Sequence, residues 1–457
     1  MKRSIPQSLL QLGAVLALTV CVHAAETNSP AKAVALDSRP LSVEDALNIA
    51  IQQNPTVAKA RKDVEAAYGI SIQTRAVANP KVQFLADAHQ KDRGAVETFA
   101  VVNGNRGWDA SLRVIQTVYA GGKIQSALRT SKLTQEQALL DFQSVVLTTL
   151  LQVRETYYDV LLARQQIIVQ EASLELLQRE LNDQTRRFEA GTVPRFNVLR
   201  AEVEVANARP KLIRARNSLR VSKDNLATQL GYDIAKDTWD NLPLQLSGSL
   251  EPVPYDIVLP QALADALQRR PELLSLYKSR LLRGEDLTVA KAGYHPQIDL
   301  FAGIDSHSSV FSDDLTRDVT GWIVGGQLTW NIWDGNMTKG RIAEAKARAD
   351  RSQIEITDVA RKVELEVRTA YSNFIEAKEV LESQKKVQEQ ADEALRLATA
   401  RSSAGTGTQL DVLSAQTALT EARTTQIQAQ RDYAVARARL ERAIGIEVTK
   451  VESPAVK

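Results

Sequence analysis

Few side chains in this 457-residue sequence have the chemistry of a site: it holds four histidines and one cysteine. His23 and Cys21 fall in a leader-like N-terminal stretch, which leaves His89, His295 and His307, each near the end of an expected strand or in a loop. No two of them have the helical spacing of zinc ligands, and there is no His-Glu-x-x-His, so no metal site is expected. Ala120-Gly121-Gly122-Lys123 sets glycines before a lysine. It lacks the full glycine spacing of a phosphate loop and the hydroxyl after the lysine, so it reads as a strand-to-helix turn. No activated nucleophile is visible. The chain is read as no enzyme, with no cofactor.

The N-terminus sets the compartment. Lys2 and Arg3 precede an apolar run from Leu9 to Val22, and Val22-His23-Ala24 suits cleavage after Ala24. That is the build of a secretory signal peptide. Cys21 offers a second reading, a lipidated cysteine, against which stands the bulky Val20 before it. Without residues 1–24 the chain has no cysteine, and its Lys+Arg total equals its 55 Asp+Glu. A neutral chain has no bulk attraction to nucleic acid. Aromatic residues are only 5% of the chain, and the bias toward Ala, Leu, Gln, Arg and Glu suits long helices. Past the leader no run approaches the roughly eighteen apolar residues of a membrane helix, so any membrane crossing must use strands.

Two halves repeat one layout. Asn54-Pro55 is echoed by Arg270-Pro271 and Asn79-Pro80 by His295-Pro296, 216 residues on. Gly107-Trp108, Tyr157, Gly191-Thr192, Val198-Leu199 and Gly231 are echoed by Gly321-Trp322, Tyr371, Gly405-Thr406, Val412-Leu413 and Gly445, 214 residues on. The expected divisions are a signal peptide (1–24), a first repeat (41–231), a second repeat (257–445) and a C-terminal tail (446–457). Each repeat opens with a short helix, Val43–Gln53 or Ile257–Arg269, the first with a Ser42/Asp45 start signal. A second helix, from Pro55 to Ala78 or from Pro271 to Ala292, stops before a proline.

Then the apolar period changes to two. The hairpin 81–119 alternates Val82, Phe84, Ala86 and Ala88 with Lys81, Gln83, Asp87 and His89, broken only by Leu85, then continues through Trp108, Ala110, Leu112 and Val114. The hairpin 297–333 does the same through Ile298, Leu300, Ala302 and Ile304, then Trp322 to Ile332. Lengths of about 9–11 residues with alternating faces match membrane strands, although two amphipathic hairpins on a soluble core would look alike. Trp108, Tyr119, Trp322 and Trp333 are expected at strand ends, where aromatic girdles sit.

Between the hairpins and the ends of the repeats lie helical hairpins, 123–231 and 337–445. No glycine or proline interrupts Lys123 to Glu189 or Arg341 to Ala404. At 1.5 Å per residue such a helix is roughly 100 Å long. Leu139, Phe142, Val146, Leu150, Val153, Tyr157 and Val160 form a coiled-coil stripe, as do Val363, Val367, Ala370, Phe374 and Ala377. Four strands cannot close a barrel and lipid tolerates no open edge, so the barrel is expected to be shared between chains. The fold class expected is a mixed α and β membrane protein, with a helical periplasmic barrel continuous with a transmembrane β-barrel. The alternative is a periplasmic coiled-coil adaptor or scaffold, which would need neither duplication nor aromatic-ended strands.

From about Leu41 to Gly445 this pattern resembles the TolC-type outer-membrane efflux proteins. The most specific piece is Gly405-Thr406-Gly407-Thr408-Gln409-Leu410-Asp411-Val412-Leu413-Ser414-Ala415, which is similar to that family's inner coiled-coil turn. The resemblance implies a homotrimer in the outer membrane with a periplasmic tunnel, serving multidrug efflux or type I secretion. Its implied partners are an inner-membrane transporter, a periplasmic adaptor and outer-membrane lipids, with no nucleic acid. The adaptor would meet the turns at Gly191, Thr192, Val193 and Phe196 and at Gly405 and Thr406, with Val193 and Phe196 exposed. Asp411 falls on a family position that narrows the tunnel with a ring of carboxylates. A plain helix-start carboxylate facing the helix dipole is the other reading. Ser402, Gly407 and Ser414 replace the archetype's tyrosine, arginine and second aspartate, so the closing network is thinner here.

Overall fold

The computed structural model describes residues 40–92, 104–232, 242–311 and 313–446. The expected signal peptide with Cys21, the centre of the loop after the first strand and the tail beyond residue 446 lie outside the described residues. The first elements are α1 (Val43–Gln53), α2 (Pro55–Arg75), β1 (Lys81–Gln90), β2 (Arg106–Ala120), α3 (Lys123–Glu189) and α4 (Arg195–Leu230). There follow α5 (Leu259–Arg269), α6 (Pro271–Lys291), β3 (Gln297–Ser308), β4 (Asp318–Thr329), α7 (Met337–Ser403) and α8 (Gln409–Ile444). Helix lengths of 11, 21, 67 and 36 residues recur in the same order.

Local chemistry sets these boundaries. At α1 the Ser42 hydroxyl accepts the Asp45 N–H at 3.1 Å while the Asp45 carboxylate accepts the Ser42 N–H at 3.4 Å, a reciprocal cap. Asn54 caps α2 through the N–H groups of Thr56 and Val57 at 2.7 and 3.3 Å, and its amide donates to the Gln229 carbonyl at 2.6 Å. The end of α4 thereby sits on the α1–α2 joint. Gly231 closes that contact with φ 83°, where an added Cβ would lie 2.4 Å from the Gln53 carbonyl oxygen. The second helices end a little sooner than expected, at Arg75 and Lys291. A short 3₁₀ turn follows each, to Ala78 and Tyr294, before Pro80 and Pro296. α4 is continuous across Pro210.

Each 67-residue helix spans about 100 Å. Along α3, Phe142, Val146, Leu150, Val153, Tyr157 and Val160 are buried; α7 buries Val363, Val367 and Phe374 against Tyr433, Leu440 and Ile444 of α8. The Tyr157 hydroxyl donates to the Leu41 carbonyl at 2.9 Å and accepts the Gly248 N–H at 3.1 Å. It ties the middle of α3 to the segments flanking α1 and α5.

The strands form one antiparallel sheet in the order β1-β2-β3-β4. Its register sorts the side chains into rows. On one face run Phe84, Leu112, Ile304 and Trp322, and beside them Val82, Val114, Ala302 and Val324. The opposite face carries Leu85, Ser111, Asp305 and Gly321, then Asp87, Asp109, His307 and Val319. The large side chains of the first face are 43–83% exposed. In water each would forfeit up to about 1.5–3 kcal/mol of burial.

β4 departs from expectation. It starts at Asp318 and stops at Thr329, so Trp322 lies inside the strand and Trp333 lies beyond it. The chain leaves the ladder to begin α7, where the Asp334 carboxylate accepts the Thr338 N–H at 2.8 Å. The Trp330 indole donates to the Tyr294 carbonyl at 3.1 Å.

Candidate functional site

The ends of the long helices are built alike. After α3, Gly191 takes φ 73°, and the N–H and hydroxyl of Thr192 donate to the Arg187 carbonyl at 2.9 and 2.8 Å. After α7, Gly405 takes φ 75°, and the N–H and hydroxyl of Thr406 donate to the Arg401 carbonyl at 2.9 and 3.2 Å. Left-handed glycine followed by such bonds satisfies the last helical carbonyls. The Gln409 amide donates to the Asn197 carbonyl at 3.0 Å, so the two turns, 214 residues apart in sequence, lie side by side. Phe196 is 66% exposed. Val193, expected to be exposed, is only partly so. It precedes the N-cap Pro194, the position from which an apolar side chain folds back over the first helical turn.

Asp411 completes a cap at the start of α8. Its carboxylate accepts the Thr408 N–H at 3.0 Å and the Thr408 hydroxyl at 2.8 Å, while the Thr408 hydroxyl accepts the Asp411 N–H at 3.2 Å. Both bonds to the carboxylate use one oxygen, Oδ2. The Thr408 amide and hydroxyl, helped by Arg401, hold this exposed carboxyl below its ordinary value. The neighbouring turn has no space for a longer side chain. A Cβ on Gly407 would sit 2.9 Å from the Ser402 amide nitrogen and 3.0 Å from the Arg401 Cβ.

The two strand hairpins meet at the end remote from the helices. The Gly104 N–H donates to the Val310 carbonyl at 2.8 Å, the Asn105 N–H to the Asp313 carboxylate at 2.7 Å and the Trp108 indole to the Leu315 carbonyl at 3.0 Å. Trp108 is thus near this end of β2 and Tyr119 near the other. Ala120-Gly121-Gly122-Lys123 is the strand-to-helix turn expected of it, with both glycines left-handed and Gly122 preceding α3.

Two groups of charged residues escaped the sequence reading. At the α6–α7–α8 junction, buried Arg270 pairs with Glu366 at 2.6 Å and Glu272 at 3.4 Å, and Arg442 pairs with both carboxylates. Burial raises the Glu272 carboxyl, but Arg270, its own backbone amide and Arg442 hold it below the ordinary value. Near the remote end of the sheet, Asp87, His89 and Asp109 converge on the polar face. Asp87 and His89 are visible as an alternating pair in sequence; Asp109 joins them only through the β1–β2 register.

A sheet with one apolar exposed side and a more polar one, joined to two helices of about 100 Å, fits a channel-tunnel subunit rather than an adaptor. The chain belongs to the outer membrane efflux protein family, whose model matches residues 46–232 and 262–446. It is 24% identical to the outer membrane protein TolC of Escherichia coli K12 over 86% of this chain and 80% of that one. It is 25% identical to the cobalt-zinc-cadmium resistance protein CzcC of Cupriavidus metallidurans over 84% of this chain and 85% of that one. The Campylobacter jejuni CmeC outer membrane channel has the same fold, with TM-score 0.75 at 16% identity over 88% of this chain and 85% of that one. The family is one of outer-membrane channels, and no helix among the described residues is long and apolar enough to cross a membrane.

Proposed function

We propose that three copies of this chain close one twelve-stranded barrel in the outer membrane, and that their paired long helices continue it as a tunnel through the periplasm. The observation that carries this is the sheet. Its edge strands, β1 and β4, have no outer partner among the described residues, and its rows of Phe84, Leu112, Ile304 and Trp322 are exposed. In lipid each unpaired backbone group costs several kcal/mol, so the edges need strands from neighbouring copies. The recurring helix lengths support an internal duplication, with divisions at 41–231 and 257–445. The protein then works as a passive duct that catalyses nothing. It takes substrates from an inner-membrane pump through a periplasmic adaptor, in multidrug efflux or type I secretion. The turns at Gly191–Phe196 and Gly405–Thr406 are the adaptor contacts, with Phe196 the main apolar one. Trp108 and Tyr119 mark the two membrane interfaces along β2; Trp333, past the end of β4, belongs to the periplasmic one. Asp411 both caps α8 and, through the oxygen the cap leaves free, lines the constriction.

Topology gives the test. Cysteine placed at Gly104 or Ser309, at the remote ends of the hairpins, should react with a membrane-impermeant maleimide on intact cells. Reaction only after the outer membrane is permeabilised would reverse the orientation and end this reading.

A further inference from the structure

The polar face of the sheet holds a ligand set that no channel role requires. Asp87 and His89 alternate on β1, so both side chains stand on one face. Asp109 on β2 is directly opposite Asp87 in the ladder. His89 Nδ1 lies 3.4 Å from Asp87 Oδ2 and 3.8 Å from Asp109 Oδ2, and the three ligand atoms are all within 4.8 Å of one another. Around a zinc ion with bonds of about 2.0–2.1 Å, neighbouring tetrahedral ligands are about 3.4 Å apart. The observed spacings need only small rotations of two exposed carboxylates to reach that value.

Two further observations favour a cation here. Opposed carboxylates on facing strands repel and weaken a ladder, and among the described residues His89 is the only basic side chain within ion-pair distance of either of them, although His307 is the ladder neighbour of Asp109. The imidazole also has a prepared place. Opposite His89 stands Gly107, and a Cβ there would come within 3.1 Å of His89 Nε2 and 3.2 Å of its Cε1. The missing side chain lets the ring lie over the β2 backbone with Nδ1 toward the carboxylates.

We propose that Asp87, His89 and Asp109 bind one divalent transition cation of the Zn²⁺ type per chain. Imidazole nitrogen with two carboxylates selects such ions over Ca²⁺ and Mg²⁺, which take oxygen ligands. Water completes the coordination, since all three side chains are reached by solvent. That the site faces the channel interior near its outer mouth rests on the barrel reading; the ligand set itself lies within one chain.

The test uses detergent-purified full-length protein without a histidine tag, titrated calorimetrically with ZnCl₂ at neutral pH. The expected result is saturable binding of one Zn²⁺ per chain, with X-ray absorption showing one imidazole nitrogen and carboxylate oxygens. His89→Ala, Asp87→Asn and Asp109→Asn should each weaken binding at least about tenfold, while His307→Gln, on the same row, should not. Unchanged circular dichroism spectra and melting temperatures of the variants in detergent show that they are folded. Because the stoichiometry is counted per chain, a monomer that still binds one Zn²⁺ would defeat the trimer and leave the site standing. Absence of saturable binding would leave only a surface cluster of polar side chains and overturn the proposal. So would a His89→Ala variant that binds like the wild type, or dependence on His307 in place of His89.

Discussion

The cap that Asp411 makes on α8 and the constriction role proposed for it separate experimentally. As the third residue of α8 it is part of a cap in which Thr408 takes the other part. Thr408→Ala should cost about 0.5–2 kcal/mol of local helix stability, read as faster amide exchange in the first turn of α8. Asp411's carboxyl is held below its ordinary value when folded. Its contribution is therefore complete above the unfolded value of about 3.9 and is lost as pH falls through the lower folded value. Exchange at this turn should accelerate only in that acid range. As a constriction residue, Asp411 also predicts that Asp411→Ala weakens block of single-channel current by hexamminecobalt; unchanged block would confine it to capping. Gly231 makes a sharper case. Gly231→Ala adds a Cβ 2.4 Å from the Gln53 carbonyl oxygen in a left-handed conformation, and the backbone term alone is about 1–2 kcal/mol. A lowered melting temperature should report it, and an unchanged one would mean that the α1–α2 joint yields freely.

At the scale of elements, the two faces of the sheet should respond oppositely to charge. Val324 is mid-strand on the apolar face and Gln327 is on the polar one. Val324→Arg should destabilise the membrane-inserted protein by about 2–4 kcal/mol, read by urea unfolding in lipid, while Gln327→Arg should be tolerated and alter conductance. Equal effects would mean that the apolar face does not meet lipid. The helical tips make a second contrast. Phe196→Asp should abolish export while leaving assembly intact, because Phe196 is exposed without a core around it; export at wild-type levels would remove the outer turn from the docking surface. Most elements were legible because their signals are local. Glycine-free and proline-free runs, Asn-Pro and Gly-Thr punctuation and two-residue alternation placed the helices and strands to within a few residues. What escaped was set across the chain. The end of β4 depends on Asp334 starting the next helix, and the grouping of Arg270, Glu272, Glu366 and Arg442 depends on three helices meeting. Asp109 reaches His89 only by strand register.

For the whole molecule, the neutral composition, the open-edged sheet and the helices of about 100 Å support one proposal: a single copy does not sit stably in a bilayer. The equal numbers of basic and acidic residues expected after processing leave no charge to recruit the chain to lipid headgroups. On the proposed trimeric reading, insertion rests on the apolar rows of the sheet and on closure of its edges by other copies. Native mass spectrometry of the protein released from detergent micelles tests this most directly. The account predicts one species at three times the mass of the processed chain, with no stable monomer in the absence of detergent. A stable, detergent-free monomer would contradict it.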